Sequence, residues 1–204
     1  MRTSIKRYLE EEPHLLVKDK SRFKVPRFLL NDIVRFWRTM AVDFASKQRD
    51  RGGEGWGLRN TKLRMSRKLI FASGLLTCFG CHLDTKLQSK ISTASRDINL
   101  AHLENHIWDY VTRTPLDILA AAVNEYGVAN EVAEKLFSAY DAFIAMMSDQ
   151  QIREHLKKLK ADESRKDETF SRVQAISGEF EDALHHIFFE NEILAPLTQK
   201  YGVF

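Results

Sequence analysis

The sequence predicts an all-α protein, a helical bundle of about seven or eight helices. Apolar residues recur at i, i+3, i+4 and i+7 in several windows, which is the period of a helix with one buried face. No convincing run of five or more residues alternates between apolar and polar, so a strand signal is lacking. Nine glycines and four prolines in 204 residues leave few turn signals, which favours long helices. We expect one helical domain over residues 1–204.

The first part of the chain predicts a short helix, a basic connector and a long helix. Residues 4–12 are expected to be helical until Pro13 stops them, and residues 13–26 form the connector. The clearest helix is predicted over residues 27–49, because Pro26 sits where a first-turn proline belongs. Its apolar positions share one face, which we expect to be buried: Leu30, Ile33, Val34, Trp37, Met40, Ala41 and Phe44.

A glycine-rich loop is predicted over residues 49–57, with Trp56 as either a stacking surface or an anchor of the loop. A second basic helix is then expected to start near Asn60 or Thr61, because either residue is a good N-cap. We expect it to kink or end near Gly74, with apolar sequence continuing to residue 83 and a polar loop after it.

The rest of the chain is also predicted to be helical. Residues 160–168 are almost all charged or small, and are expected to form a solvated helix or a connector. The remaining helices are expected over residues 99–111, 115–127, 130–147, 149–160 and 169–191.

Composition excludes several classes of protein. An apolar fraction of 44% is too high for a disordered chain, and two cysteines are too few for a disulfide scaffold. The longest stretch without charged side chains, residues 69–83, is short for a membrane span, and the N-terminus has no apolar signal core. We therefore expect a cytoplasmic protein with no membrane partner.

The net charge of +3 hides a strong asymmetry. Residues 1–70 hold 18 Lys and Arg against 8 Asp and Glu, a net charge of +10. Residues 71–204 hold 13 against 20, a net charge of −7. The sequence thus divides into a basic helical segment, residues 1–83, and an acidic helical remainder, residues 84–204. The basic segment is expected to meet a nucleotide, a nucleic acid or an acidic partner, unless it pairs with the acidic remainder inside one fold.

Residues 27–68 combine three features that suit an anion. Glycines let backbone N–H groups approach closely, a helix N-terminus supplies free donors, and arginine binds phosphate in a bidentate manner. The loop does not match a P-loop, since no Gly-Lys-Ser/Thr closes it. The alternative is a flexible connector between two solvated basic faces. The candidate nucleotide- or phosphate-binding residues are Asn31, Asp32, Arg35, Arg38, Arg59, Asn60 and Lys62; the arginines and the lysine would neutralise phosphate, and the asparagines would hydrogen-bond or cap.

A motif within residues 25–75 carries a family resemblance. It consists of Leu30-Asn31-Asp32, Arg35, Trp37-Arg38, Asp43-Phe44, Trp56-Gly57-Leu58-Arg59-Asn60 and Lys62-Leu63. This stretch resembles the helical region that follows the catalytic domain in bacterial nucleotidyltransferases of the DNA polymerase β-type superfamily, and is similar to that of PII-uridylyltransferase-like proteins. The resemblance implies a helical layer that packs on a nucleotidyl-transfer domain and helps to hold the nucleotide or the acceptor.

The sequence departs from that family where the chemistry would lie. Such enzymes need a Gly-Ser turn for the phosphates, and an Asp-x-Asp pair with a third carboxylate for two metal ions. Neither Gly-Ser nor Asp-x-Asp occurs, and Ser177-Gly178 has the reverse order. We therefore expect no catalytic residue and no cofactor in this chain, with catalysis supplied by a nucleotidyltransferase catalytic domain in cis or in trans. Mg²⁺ and a nucleoside triphosphate are implied for the complete enzyme.

Two other functions compete with this interpretation. Arg96 and His102 fit the loose Arg-x(4–6)-His motif of HEPN helical ribonucleases and toxins. The resemblance implies RNA cleavage with His102 as an acid or base. The other alternative is a non-enzymatic helical module whose basic part docks on an acidic partner.

Two further motifs have simple structural explanations. Cys78, Cys81 and His82 match the C-x-x-C-H of haem attachment, but the apolar surroundings favour a buried, reduced pair. His185 and His186 stand near carboxylates at helical spacing, which is more typical of surface ion pairs than of a metal site.

Overall fold

The computed structural model describes residues 2–17, 21–50, 53–93 and 95–202. Within them the chain is helical and has no strand, and only an isolated antiparallel bridge joins Leu16 to Phe23. The all-α prediction is therefore confirmed. The α-helical segments are α1 (Arg2–Glu11), α2 (Arg27–Asp50), α3 (Trp56–Lys62), α4 (Lys68–Leu83), α5 (Thr85–Gln88), α6 (Arg96–Val111), α7 (Pro115–Glu125), α8 (Asn130–Ser148), α9 (Gln150–Lys158), α10 (Glu168–His185) and α11 (Ala195–Tyr201).

A π-helical turn, Leu63–Arg67, joins α3 to α4 in one continuous helix, and the described residues thus form ten helices. The predicted number of seven or eight is too low, because the short helices α5 and α11 carry too few residues to show a helical period. No helix in these residues combines the length and the apolarity that a membrane span needs.

Helix α4 is the central element. Ten of its sixteen residues are buried, and α2, α6 and α7 pack around it. The predicted kink or end near Gly74 is wrong. Gly74 instead lets α2 approach closely, because a Cβ there would lie 3.0 Å from Cγ2 of Ile33. The largest core cluster joins both segments of the chain, with Leu30 and Met65 from the basic segment and Phe180 from the acidic remainder.

Helix α2 begins where the sequence predicts. The buried carboxylate of Glu12 accepts a hydrogen bond from the backbone N–H of Phe28 at 3.2 Å and lies 3.3 Å from Nε of Arg27. A carboxylate at this end satisfies a free donor and complements the positive end of the helix dipole. This interaction fixes the direction in which α2 leaves the connector.

The second basic helix begins at Trp56, so the predicted start near Asn60 or Thr61 is wrong. Gly55 lies at the N-cap with a left-handed φ of 67°, and the N–H of Gly57 donates to the carbonyl of Leu159 at 3.2 Å. Trp56 is buried against Phe170, with 5.0 Å between ring centroids. Burial of this indole and contact with the end of α9 draw residues 56–60 into the helix. Trp56 is thus an anchor of the loop.

Two other boundaries differ from the prediction. Helix α6 begins at Arg96, not near residue 99, because the side chain of Ser95 accepts a hydrogen bond from the N–H of Ile98. The charged segment before α10 forms turns and a short 3₁₀ helix, Ser164–Lys166, and the side chain of Asp167 caps α10.

Replacement of Gly57 by alanine is expected to destabilise the fold by about 1–3 kcal/mol. A Cβ at this position would lie 2.6 Å from the carbonyl oxygen of Leu156, so α3 and α9 would have to separate. Gly178→Ala is the matched control, because a Cβ in this part of α10 would meet nothing within 4 Å. It should stabilise the helix by about 0.5–1 kcal/mol. Urea unfolding curves measure both effects, and equal free energies of unfolding for the two variants would contradict the prediction.

Candidate functional site

One side of α2 faces away from the protein. Its residues Asn31, Arg35, Arg38 and Val42, here called the outer face of α2, are all exposed. Spacings of four, three and four residues place them on one stripe of the helix. Arg35 lies 3.6 Å from Asp32, and Arg38 has no ion-pair partner among the described residues. Both guanidinium groups are therefore open to an anion.

Asp32 belongs to the neighbouring side of α2 and serves α1. Its carboxylate accepts a hydrogen bond from the hydroxyl of Tyr8 at 2.5 Å, and this bond raises the pKa of Tyr8. Asp32 thus joins the first two helices and balances part of the charge of Arg35. Its position suits a structural role better than direct contact with phosphate.

An apolar groove lies along α2, on the side of Leu29, Ile33 and Phe36. Phe36 and Ile70 stand at its edge with 55% and 46% of their surface exposed. The groove encloses about 460 Å³ between α1, α2, α4 and the start of α7. Beneath it, Trp37 stacks on Phe71 with 5.2 Å between ring centroids. Large apolar side chains in such a position typically mark a surface that contacts another protein.

Arg59, Asn60 and Lys62 lie in a different place, at the start of the α3–α4 helix. Helix α2 runs antiparallel to this helix, and Trp37 lies beside Phe71. Phe71 therefore marks the level of Trp37 and of its neighbour Arg38 on the α3–α4 helix. Arg59 precedes Phe71 by twelve residues, so it lies about 18 Å along the helix from the level of Arg38. The structure therefore divides the seven predicted residues between two places instead of one pocket.

The three residues at the second place differ in their environment. Lys62 is exposed, whereas the side-chain oxygen of Asn60 accepts a hydrogen bond from Nε of Arg64 at 2.7 Å. Nε and Nη2 of Arg59 are buried and have no hydrogen-bond partner in the described part of the chain. Asn60 lies inside the helix, so the expected helix N-terminus at this residue is absent.

The two residues of the ribonuclease-like motif, Arg96 and His102, do not form a common site. Nη2 of Arg96 donates to the backbone carbonyls of Glu10 and Glu12, at 3.2 and 3.0 Å, and fastens α6 to the end of α1. His102 follows six residues later on the same helix, about 120° around it. The structure does not bring the two side chains together.

The Cys-x-x-Cys-His motif lies in the core. Both thiols are free and buried, and burial raises the pKa of each. Nδ1 of His82 lies 2.7 Å from the carbonyl oxygen of Phe23, so this ring fastens the connector to α4. Protonated, inaccessible thiols cannot act as nucleophiles or metal ligands.

His185 and His186 share a single carboxylate. Nδ1 of His185 lies 3.2 Å from Glu190, and Nδ1 of His186 lies 2.5 Å from it. Within the described residues, no group of three or more His, Cys, Asp and Glu side chains could hold a metal ion. Both rings thus contact a surface carboxylate, whereas Asp182, which stands four residues before His186, pairs with Lys135 at 3.1 Å.

A buried polar cluster at the end of α4 was not predicted. Nδ1 of His106 lies 3.5 Å from the carboxylate of Asp84, and its Nε2 is buried without a hydrogen bond among the described residues. Gly80 makes room for it, because a Cβ there would lie 3.1 Å from the hydroxyl of Tyr110 and 3.4 Å from this Nε2. Burial lowers the pKa of His106 and raises that of Tyr110 to about 12. Neutral forms of both side chains stabilise this corner.

Comparisons of the chain with protein-family models, with curated proteins and with solved structures found no match. The resemblance of residues 25–75 to nucleotidyltransferase helical regions therefore stays a prediction.

Arg96→Ala is expected to destabilise the protein by about 1–3 kcal/mol, because it leaves two carbonyls at the end of α1 without their charged donor. His102→Ala should change the free energy of unfolding by no more than about 0.5 kcal/mol, since His102 makes no hydrogen bond or ion pair among the described residues. Denaturant unfolding compares the two. RNA cleavage by the wild type that disappears in both variants would instead support the ribonuclease interpretation.

Stability is expected to fall as the pH drops below about 6.5. Burial lowers the pKa of His106 and of His82 below their ordinary value of 6.5, so the unfolded chain binds more protons than the folded one in this range. An excess of bound protons in the unfolded state makes stability rise with pH. Urea unfolding between pH 5 and 7.5 should show this slope, and His106→Gln together with His82→Gln should reduce it. An unchanged slope in the double variant would contradict the assignment.

Proposed function

We propose that this chain is the helical, non-catalytic part of a nucleotidyltransferase. It would pack against a catalytic domain, supplied in cis or in trans, and hold the nucleotide or the acceptor there. Two features of the sequence support this proposal: the motif within residues 25–75, and the lack of the Gly-Ser and Asp-x-Asp elements that catalysis needs.

The outer face of α2 is the observation that carries the proposal. A helix that faces only water presents polar and charged residues on that side. Here Val42 of this face is 67% exposed, and Phe36, about 100° around the helix from Arg35, is 55% exposed. The apolar side chains suit contact with a protein domain, and the arginines suit phosphate. A surface at which a second domain closes over a nucleotide needs both.

The charge distribution favours the same surface. Arg35 is 71% exposed and meets Asp32 only at 3.6 Å, a distance at which an exposed ion pair contributes little. Little energy is therefore lost when this guanidinium turns towards a phosphate. The net charge of +10 on residues 1–70 would also attract a polyanion over a longer distance.

The apolar groove beside Phe36 and Ile70 is the place where the catalytic domain would contact this chain. The groove lies on the Phe36 side of α2, about 100° around the helix from Arg35 and about 160° from Arg38, so a domain seated there would have Arg35 nearest to its bound nucleotide. The complete enzyme would need Mg²⁺, held by the carboxylates of that domain, to supply electrostatic stabilisation for nucleotidyl transfer.

Arg35→Ala combined with Arg38→Ala is expected to weaken the binding of UTP or ATP by about tenfold or more, because each arginine offers charge-assisted hydrogen bonds to phosphate. Isothermal titration calorimetry in the presence of Mg²⁺ measures the change. Arg153→Ala combined with Arg172→Ala is the matched control, since both arginines are exposed on α9 and α10, away from this face. The control should bind as the wild type does.

Two results would contradict the proposal. Equal nucleotide affinity in the two double variants would show that the outer face of α2 does not bind the nucleotide. Metal-dependent nucleotide incorporation by the purified chain alone would show that no separate catalytic domain is needed. Binding of an acidic protein without any affinity for nucleotide would favour the interaction module instead.

A further inference from the structure

Arg59 is wedged between the turn before α3 and the end of α9. A Cβ at Gly55 would lie 3.6 Å from Nη1 of Arg59 and 3.9 Å from the carbonyl oxygen of Lys157. The guanidinium therefore passes directly beneath this turn. Its Nε and Nη2 atoms are shielded from solvent and make no hydrogen bond within the described residues.

Buried donors of a charged guanidinium are unfavourable unless a hydrogen-bond acceptor pairs with them. The guanidinium of arginine stays protonated in proteins, and buried charges are normally paired. Nε–H and one Nη–H of a guanidinium point in parallel and match two oxygens of a phosphate or carboxylate group. The unpaired edge of Arg59 is thus the edge that arginine uses for bidentate recognition.

The surroundings of Arg59 favour a negatively charged acceptor. No carboxylate in the described part of the chain forms an ion pair with it, and the side chain of Lys160 passes within 4.0 Å of a Cβ placed on Gly53. The carboxylates on either side of the end of α9 are engaged by neighbours: Glu154 pairs with Lys157 at 3.7 Å, and Glu163 accepts from the N–H of Lys160 at 3.4 Å. Glu54 is exposed.

We infer that the Nε–Nη2 edge of Arg59, whose guanidinium lies next to Gly55 through Nη1 and Cζ, is a binding site for a phosphate group. Gly53 and Gly55 have left-handed backbone conformations, with φ of 85° and 67°, and Gly55 places no side chain against the guanidinium. The site lies about 18 Å along the helix from the level of Arg38. It is therefore separate from the outer face of α2 and does not require the proposed function.

The test compares melting temperatures in sodium phosphate and in sodium chloride of equal ionic strength. Phosphate should raise the melting temperature of the wild type beyond the chloride control, because a ligand that binds only the folded state stabilises it. Arg59→Met should lose this phosphate-dependent rise, yet melt no lower than the wild type in phosphate-free buffer, since it removes the unpaired donors. Arg172→Met, an exposed arginine of α10, is the matched control and should keep the full rise.

A second variant and a second set of ligands sharpen the test. Arg59→Lys keeps the charge but loses the paired donors, so it should show less than half of the wild-type rise. Stabilisation by inorganic phosphate identifies a free phosphate ligand, whereas stabilisation by ATP or UTP alone identifies a nucleotide phosphate. The inference is overturned if phosphate acts no more strongly than chloride, if Arg59→Met keeps the rise, or if adenosine stabilises as well as ATP.

Discussion

Burial of α4 on nearly all sides is the constraint on which the rest of the structure depends. Its sixteen residues carry hardly any charge, and ten of them are buried, so other helices must cover it all round. Helix α2 covers one side with Leu30, Ile33 and Trp37, and this contact fixes its rotation. The opposite side of α2 is then left to solvent. Covering α4 thus brings Arg35 and Arg38 to the surface, where the guanidinium of Arg35 lies 3.6 Å from Asp32.

The glycine-rich segment has a second structural role, which is the junction of α3 with α9. The positive N-terminal end of one helix meets the negative C-terminal end of the other, and a hydrogen bond from Gly57 to Leu159 joins them. Close approach of two backbones at this point requires glycine, since any Cβ would strike the carbonyl of Leu156. The same approach folds Arg59 beneath the turn. The glycine-rich segment, which suits an anion by its composition, therefore serves in the structure to let two backbones pack closely.

The sequence predicts α2 well and the start of α3 badly, for a clear physical reason. Helix α2 depends on local signals, namely Pro26 and an apolar period of 3.6, and the predicted residues 27–49 agree with Arg27–Asp50. The start of α3 depends on Leu159 and Phe170, about a hundred residues away, which no local pattern reveals. The same holds for His106, whose partner Asp84 lies on the far side of a turn. Exposure of Asn31, Arg35 and Arg38 on one face follows from their spacing, and the structure agrees.

The distance between the two cationic places bears on what the chain would hold. Sequence spacing alone suggested one site, because residues 31–38 and 59–62 are joined by a short loop. The antiparallel pairing of α2 with the α3–α4 helix instead separates Arg38 from Arg59 by about 18 Å along the helix axis. In double-stranded DNA each strand carries one phosphate per about 3.4 Å of the helix axis, so this separation corresponds to about five base-pair steps of a duplex. A single ligand that contacts both arginines would therefore be a polynucleotide acceptor, whereas a mononucleotide would depend on only one of the two places. The affinities of the Arg38 and Arg59 variants for a mononucleotide and for an oligonucleotide thus separate the two ligand classes that the fold leaves open.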